Sequence, residues 1–137
     1  MNKPLSHFVA KADTAVEESP WGLQHWLCRP GLVDNERLAL VRAYMPPGTN
    51  HPFHRHPTLE EIIYVLEGKA EQWVDRERRI LEPGEIAHIP VDMVHATYNP
   101  FSAPLVFLAI LSPGTLDGPG PVDVSQEEPW RWLRKPV

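Results

Sequence analysis

Cysteine is almost missing from this 137-residue chain, Cys28 being the only one. One thiol cannot build an intramolecular disulfide framework, which fits a reducing compartment. Long apolar runs are missing too. No stretch approaches the roughly 18 uninterrupted apolar residues of a membrane span, and the first twenty positions, MNKPLSHFVAKADTAVEESP, hold no continuous apolar core of a secretory signal. The expectation is a cytoplasmic protein. Charge of one sign is scarce: the formal net charge is only −5, which argues against nucleic acid or an anionic membrane as partner and leaves a small molecule or another protein. No helical period is sustained between the turn signals, and no internal repeat is visible. The roughly 30 residues before the first plausible strand are too weakly patterned for a helix-turn-helix unit, so direct transcriptional regulation is not expected.

What is present is punctuation. Sixteen prolines and eight glycines are spread along the chain, the pattern of short strands joined by tight turns. RLALVRAYM, FHRH, EIIYVLEG, KAEQWVD, RRILEPG, EIAHIP, HATYN and PLVFLAIL are each strand-like and each bounded by Pro, Gly, Asp or Asn. GLQHWLCRPGLV reads as a further strand broken at Pro30 and Gly31. The expected fold class is therefore all-β, an antiparallel sandwich or barrel. Residues 1–20 are read as an N-terminal arm, helical or irregular, 21–112 as the barrel domain, and 113–137 as a Pro/Gly-rich tail. Exposed Trp130 and Trp132 would be an apolar liability, so the tail is expected to fold back on the barrel or on a partner subunit.

The chemistry concentrates in HPFHRHPTLEEIIYVLEG, His51 to Gly68. His54 and His56 are one residue apart, so on an extended strand both imidazoles project from one face. Glu61 lies an odd number of positions further on and would face the other way on a continuous strand. Pro57 and Thr58 are turn material, however, and a hairpin there resets the parity. His95 opens another short strand after a Pro-containing turn. Three imidazoles and one carboxylate suit Mn, Fe, Co, Ni, Cu or Zn, with positions left open for substrate or water.

Residues 48–99 resemble the two motifs of the cupin family. Gly48, His54, His56, Glu61 and Gly68 fall on the first motif, and Gly84, Pro90, His95 and Asn99 on the second. The one departure is Asp92, where the family usually has Gly; Asp tolerates left-handed backbone better than most residues. The resemblance implies a double-stranded β-helix whose single divalent transition metal is held by His54, His56, Glu61 and His95. Glu60 satisfies the shorter form of the first motif, but only Glu61 leaves six residues before Gly68. Glu60 is read as a solvated charge.

Cupins sharing this ligand set include dioxygenases, decarboxylases, sugar isomerases and binding proteins without turnover. The resemblance thus implies a metal-dependent enzyme on a small organic substrate, with dioxygenase chemistry favoured. An isomerase or decarboxylase is the first alternative, and a non-catalytic small-molecule binder the second. Glu61 is the candidate base as well as a ligand, and His51 a second candidate near the metal. His88 is read as structural. Gln72, Trp73, Tyr64, Phe53, Met93 and Tyr98 are candidates to line the cavity, with core packing the better reading for most. Arg55 lies between two ligands, but strand alternation points it away from them. A homodimer is expected, because small barrels of this type pack sheet to sheet and PLVFLAIL is apolar on both faces.

Overall fold

The computed structural model describes residues 5–115 and 118–134. Its strands are β1 (Ala15–Ser19), β2 (Gly22–Cys28), β3 (Ala39–Met45), β4 (Asn50–Arg55), β5 (Glu60–Glu67) and β6 (Ala70–Val74). They continue with β7 (Glu77–Leu81), β8 (Ile86–Ile89), β9 (His95–Tyr98), β10 (Leu105–Ser112) and the two-residue β11 (Val122–Asp123), before a single turn of helix, α1 (Trp130–Leu133). Every pairing between these strands is antiparallel. One sheet runs β1-β2-β3-β10-β5-β8 and the other β11-β4-β9-β6-β7. This is the double-stranded β-helix that the motifs imply.

Alternation does the sorting. In β3, Ala39, Val41, Ala43 and Met45 are buried and the residues between them are not, as a strand with one face on a core requires. Val41, Ala43 and Met45 meet Ile63 and Val65 of β5 and Phe107 and Ala109 of β10 in the main core. A second apolar cluster, Phe53, Trp73, Ala96, Tyr98 and Val124, lies on the far face of the five-stranded sheet, with Trp130 and Leu133 packed over it.

Two motif residues are structural. Gly68 has φ of +77°, and a Cβ there would collide with the Pro104 carbonyl oxygen, so the close approach of two backbones selects glycine. Asn99 is fully buried, and its side-chain amide donates to the Met45 and Ala103 carbonyls, both at 3.0 Å. Asp92 adopts the left-handed conformation expected at its position, φ +63°, and Arg55 reaches it with a 2.7 Å ion pair. That contact ties the segment carrying His54 and His56 to the turn that precedes His95.

Three expectations need correction. Residues 15–19 are not irregular: they pair with β2 as the outermost strand of the six-stranded sheet. The charged and polar side chains of AVEES mask a strand that has one edge in water. The turn at Pro57 and Thr58 is real, but β4 and β5 are not a hairpin. They belong to opposite sheets, so the chain crosses between layers there, and the crossing brings Glu61 to the histidines. The tail does fold back, with β11 on β4 and Trp130 against Phe53 at 5.6 Å between ring centroids. Trp132, by contrast, is 69% exposed and stacks only beneath Arg131.

Candidate metal centre

His54 and His95 are register partners on β4 and β9, next to a bulge between His51 and His54. Direct opposition brings the two rings to 4.2 Å between centroids. His56, just past the end of β4, completes the group, and one ligating nitrogen from each of the three imidazoles lies within 4.8 Å of the others. Glu61 arrives from the facing sheet, its Oε1 at 3.1 Å from His95 Nε2 and 3.4 Å from His56 Nε2. Three nitrogens from one layer thus face one carboxylate from the other.

Hydrogen bonds set the tautomers. His54 Nδ1 lies 2.6 Å from the Pro52 carbonyl oxygen and His95 Nδ1 lies 2.9 Å from that of Met93. A carbonyl only accepts, so each Nδ1 carries a proton and Nε2 is the ring nitrogen left to face the cluster. His95 Nε2 and Glu61 Oε1 are buried and have no hydrogen-bond partner. Two lone-pair atoms at 3.1 Å cannot hydrogen-bond each other; a cation shared between them satisfies both, whether a proton or a metal ion. Burial alone would raise the Glu61 carboxyl pKa, but hydrogen bonds from, and attraction to, His56 and His95 when their Nε2 atoms are protonated outweigh it and hold the group well below the usual carboxylate range. The donor set fits a borderline divalent metal.

These residues form the floor of a cavity of about 440 Å³ whose walls include Trp21, Trp26 and Phe107. None of the described residues lining it is Lys or Arg. A larger cleft of about 790 Å³, lined by Arg76, Arg79, Glu77 and Glu85 among others, includes none of the three clustered histidines.

His51 sits in the wall, stacked on His54 at 3.7 Å and on Trp21 at 4.9 Å between centroids. Burial pushes its pKa down to about 4, so it is neutral at pH 7. The unfolded chain titrates near the ordinary 6.5. Between these values the unfolded state takes up a proton that the folded state refuses, so stability falls as pH drops from 6.5 toward 4. The full shift corresponds to about 3 kcal/mol, and the ring edge facing the cavity makes that an upper figure. In denaturant titrations of metal-free protein across this range, His51→Gln is expected to flatten the acid limb; an unchanged limb would place the acid sensitivity elsewhere.

Glu60 points outward as expected, though not as a purely solvated charge: it pairs with the equally exposed His88 at 2.6 Å. Of the proposed cavity residues Gln72, Trp73, Tyr64, Phe53, Met93 and Tyr98, none lines this cavity. Phe53, Trp73 and Tyr98 face the opposite side of their sheet, beneath the tail. Beside His51, the walls come instead from β1, β2, β3, β5, β10, Trp21 between β1 and β2, and residues 118–121. The signal for β2 was present in the alternation of Gly22, Gln24 and Trp26, which share one face, but nothing local says that this face closes over the histidines.

Comparison with protein-family models matches residues 41–111 to the cupin domain. The chain is 31% identical over 87 residues to an uncharacterized protein of Methanocaldococcus jannaschii, covering 64% of this chain and 70% of that one. It is 40% identical over 68 residues to the dimethylsulfoniopropionate lyase DddQ of Ruegeria pomeroyi, covering 49% of this chain and 33% of DddQ. The solved structure of DddQ superposes with a TM-score of 0.69 at 28% identity, over 85% of this chain and 64% of that one. Quercetin 2,3-dioxygenase of Bacillus subtilis is 32% identical over 81 residues, 59% of this chain and 24% of the dioxygenase. The sequence matches thus span a third or less of the two named enzymes.

Proposed function

This chain belongs to the cupin family, and from that premise we propose that it is a metal-dependent enzyme acting on a small organic substrate, with dioxygenase chemistry favoured. The observation that carries the reading is the convergence of three imidazole nitrogens with the unpartnered His95 Nε2 and Glu61 Oε1 among the converging atoms, at the floor of an aromatic-walled cavity. His54, His56, Glu61 and His95 would hold the ion. A divalent metal bound there supplies Lewis acidity and, where it is redox-active, oxygen chemistry.

The protein's own groups then have distinct tasks. A carboxylate held far below its ordinary pKa is a poor proton acceptor, so Glu61 serves first as a ligand and only weakly as a base. His51, neutral and beside His54, offers a ring nitrogen to a substrate hydroxyl or enol. Trp21 and Phe107 give a flat substrate apolar contact and keep water from the floor.

A second reading, non-redox lyase or decarboxylase chemistry, is favoured by the likeness to DddQ, which is 40% identical against 32% for the dioxygenase. Elemental analysis of protein purified without added metal, followed by oxygen-uptake screening against flavonols and diketones, tests the choice. Iron or nickel with substrate-dependent oxygen consumption supports the dioxygenase. Turnover of an onium or carboxylate substrate under anaerobic conditions supports the second reading, and full metal occupancy without any turnover would leave a binding protein.

A further inference from the structure

Asp92 stands where the family motif usually has glycine, and its surroundings give the exchange a purpose. Pro90 to Met93 form a turn closed by the Met93 amide on the Pro90 carbonyl at 3.2 Å, with Asp92 at its left-handed third position. Glycine or asparagine is the ordinary choice there, because a Cβ crowds that backbone. Three contacts run from this turn to the candidate ligands and their strand. The Asp92 amide donates to the His56 carbonyl at 3.0 Å, the Asp92 carboxylate takes Arg55 at 2.7 Å, and the Met93 carbonyl accepts from His95 Nδ1 at 2.9 Å. Glycine at position 92 would keep the first and third of these and lose the second. Among the described residues Arg55 and Asp92 have no ion-pair partner but each other.

The histidines differ in how they are held. His54 and His95 are fixed against each other by the pairing of β4 with β9, whereas His56 lies one residue past the end of β4, outside that ladder. Its ring must nevertheless keep its place, 5.0 Å from that of His54 and 5.2 Å from that of His95 between centroids. We propose that Arg55 and Asp92 are positioning residues for the metal centre, their ion pair and the Asp92 amide together clamping His56 to the turn that orients His95, a role that rests on the metal reading given above. Neither side chain lines the cavity, so the pair acts through the backbone. Charge and position predict opposite signs for Arg55. As a cation beside a cation site it would weaken metal binding by Coulomb repulsion, so its removal should tighten binding if charge alone matters and loosen it if Arg55 holds His56 in place.

Cobalt(II) titrated into metal-free protein reads both affinity and, through its visible absorption, the geometry of the ligands. The unmodified protein is expected to bind it saturably. Arg55→Met, Asp92→Gly and the double variant should each bind about fivefold more weakly, because the ion pair is partly exposed and all three break the same link. All three should share one altered absorption spectrum, and their metal-free forms should still melt cooperatively close to the unmodified protein, which separates loss of position from loss of fold. Asp92→Asn, which also tolerates the left-handed turn, should match Asp92→Gly. Arg55→Lys, which keeps the charge, should recover most of the affinity. Unchanged or tighter binding by Arg55→Met, or a double variant restored to the unmodified affinity, would show charge acting alone and overturn the positioning role while the metal reading stands. No saturable cobalt binding by the unmodified protein would overturn the metal reading and the role with it.

Discussion

His95→Ala is expected to lower metal affinity by about a hundredfold or more, leaving dialysed protein nearly free of metal by elemental analysis. The size follows from the geometry. His95 supplies a nitrogen at 3.1 Å from Glu61 Oε1, and its ring orientation is held by the Nδ1 bond to Met93. Disturbing a hydrogen bond that merely orients a ligand already costs about 10- to 100-fold in other metal sites, and deleting the ligand itself should cost more. His54→Ala should behave alike, since His54 is the register partner of His95 and is 4% exposed.

A second readout guards against misfolding. Added zinc should raise the melting temperature of the unmodified protein, because a ligand that binds only the folded state at a hundred times its dissociation constant stabilises by about 2.7 kcal/mol. His95→Ala should melt cooperatively and lose that response. Retention of both the metal and the thermal shift would mean that these residues do not hold the ion.

Removing residues 122–137 should destabilise the barrel by about 5 kcal/mol, lowering the melting temperature by roughly 15 °C or more. The tail does three things at once. β11 pairs with β4 opposite Arg55 and His54. Val124, Trp130 and Leu133 cover Phe53, Trp73 and Tyr98, which would otherwise be an exposed aromatic patch. Arg134 donates to both oxygens of Glu71, at 2.6 and 3.3 Å, and lies over the Tyr98 ring at 4.8 Å.

Glu71 is 4% exposed. Burial alone would raise its carboxyl pKa, but the bonds from Arg134 and from Trp73 Nε1 outweigh it and keep the group ionised. Without Arg134 a buried carboxylate is left with Trp73 Nε1 and the more distant Arg78 at 3.9 Å. Arg134→Ala alone should therefore account for about 3 kcal/mol of the loss. Thermal melts of the truncated chain and the point variant check this, and a truncated chain as stable as the whole would show the tail to be an ornament on the barrel.

Much of the candidate site was legible because its information is local. The spacing of His54, His56 and Glu61 before Gly68, and of His95 between Pro90 and Asn99, is written in consecutive residues, and strand alternation turns such spacings into faces. The identity of the strands was legible for the same reason: Val, Ile, Leu and Tyr alternate between Pro and Gly stops. The route by which Glu61 reaches the histidines was not. The turn at Pro57 is visible in sequence, but whether the next strand returns along its neighbour or crosses to another sheet depends on pairings with β9 and β10, which lie 40 to 50 positions away.

The cavity walls were hidden more deeply. AVEES carries no apolar alternation, so β1 was not recognisable as a strand. Phe53, Trp73 and Tyr98 look like pocket residues because a small barrel holds its ligand among apolar walls, yet each strand has two faces and theirs belongs to the tail. By itself the sequence determined the strand class, the turn positions and the four side chains able to share an ion, since these depend on backbone period and motif spacing. Only the tertiary structure decided which sheet each of the four comes from and which aromatic residues see the cavity, because those depend on contacts between segments that the chain order leaves far apart.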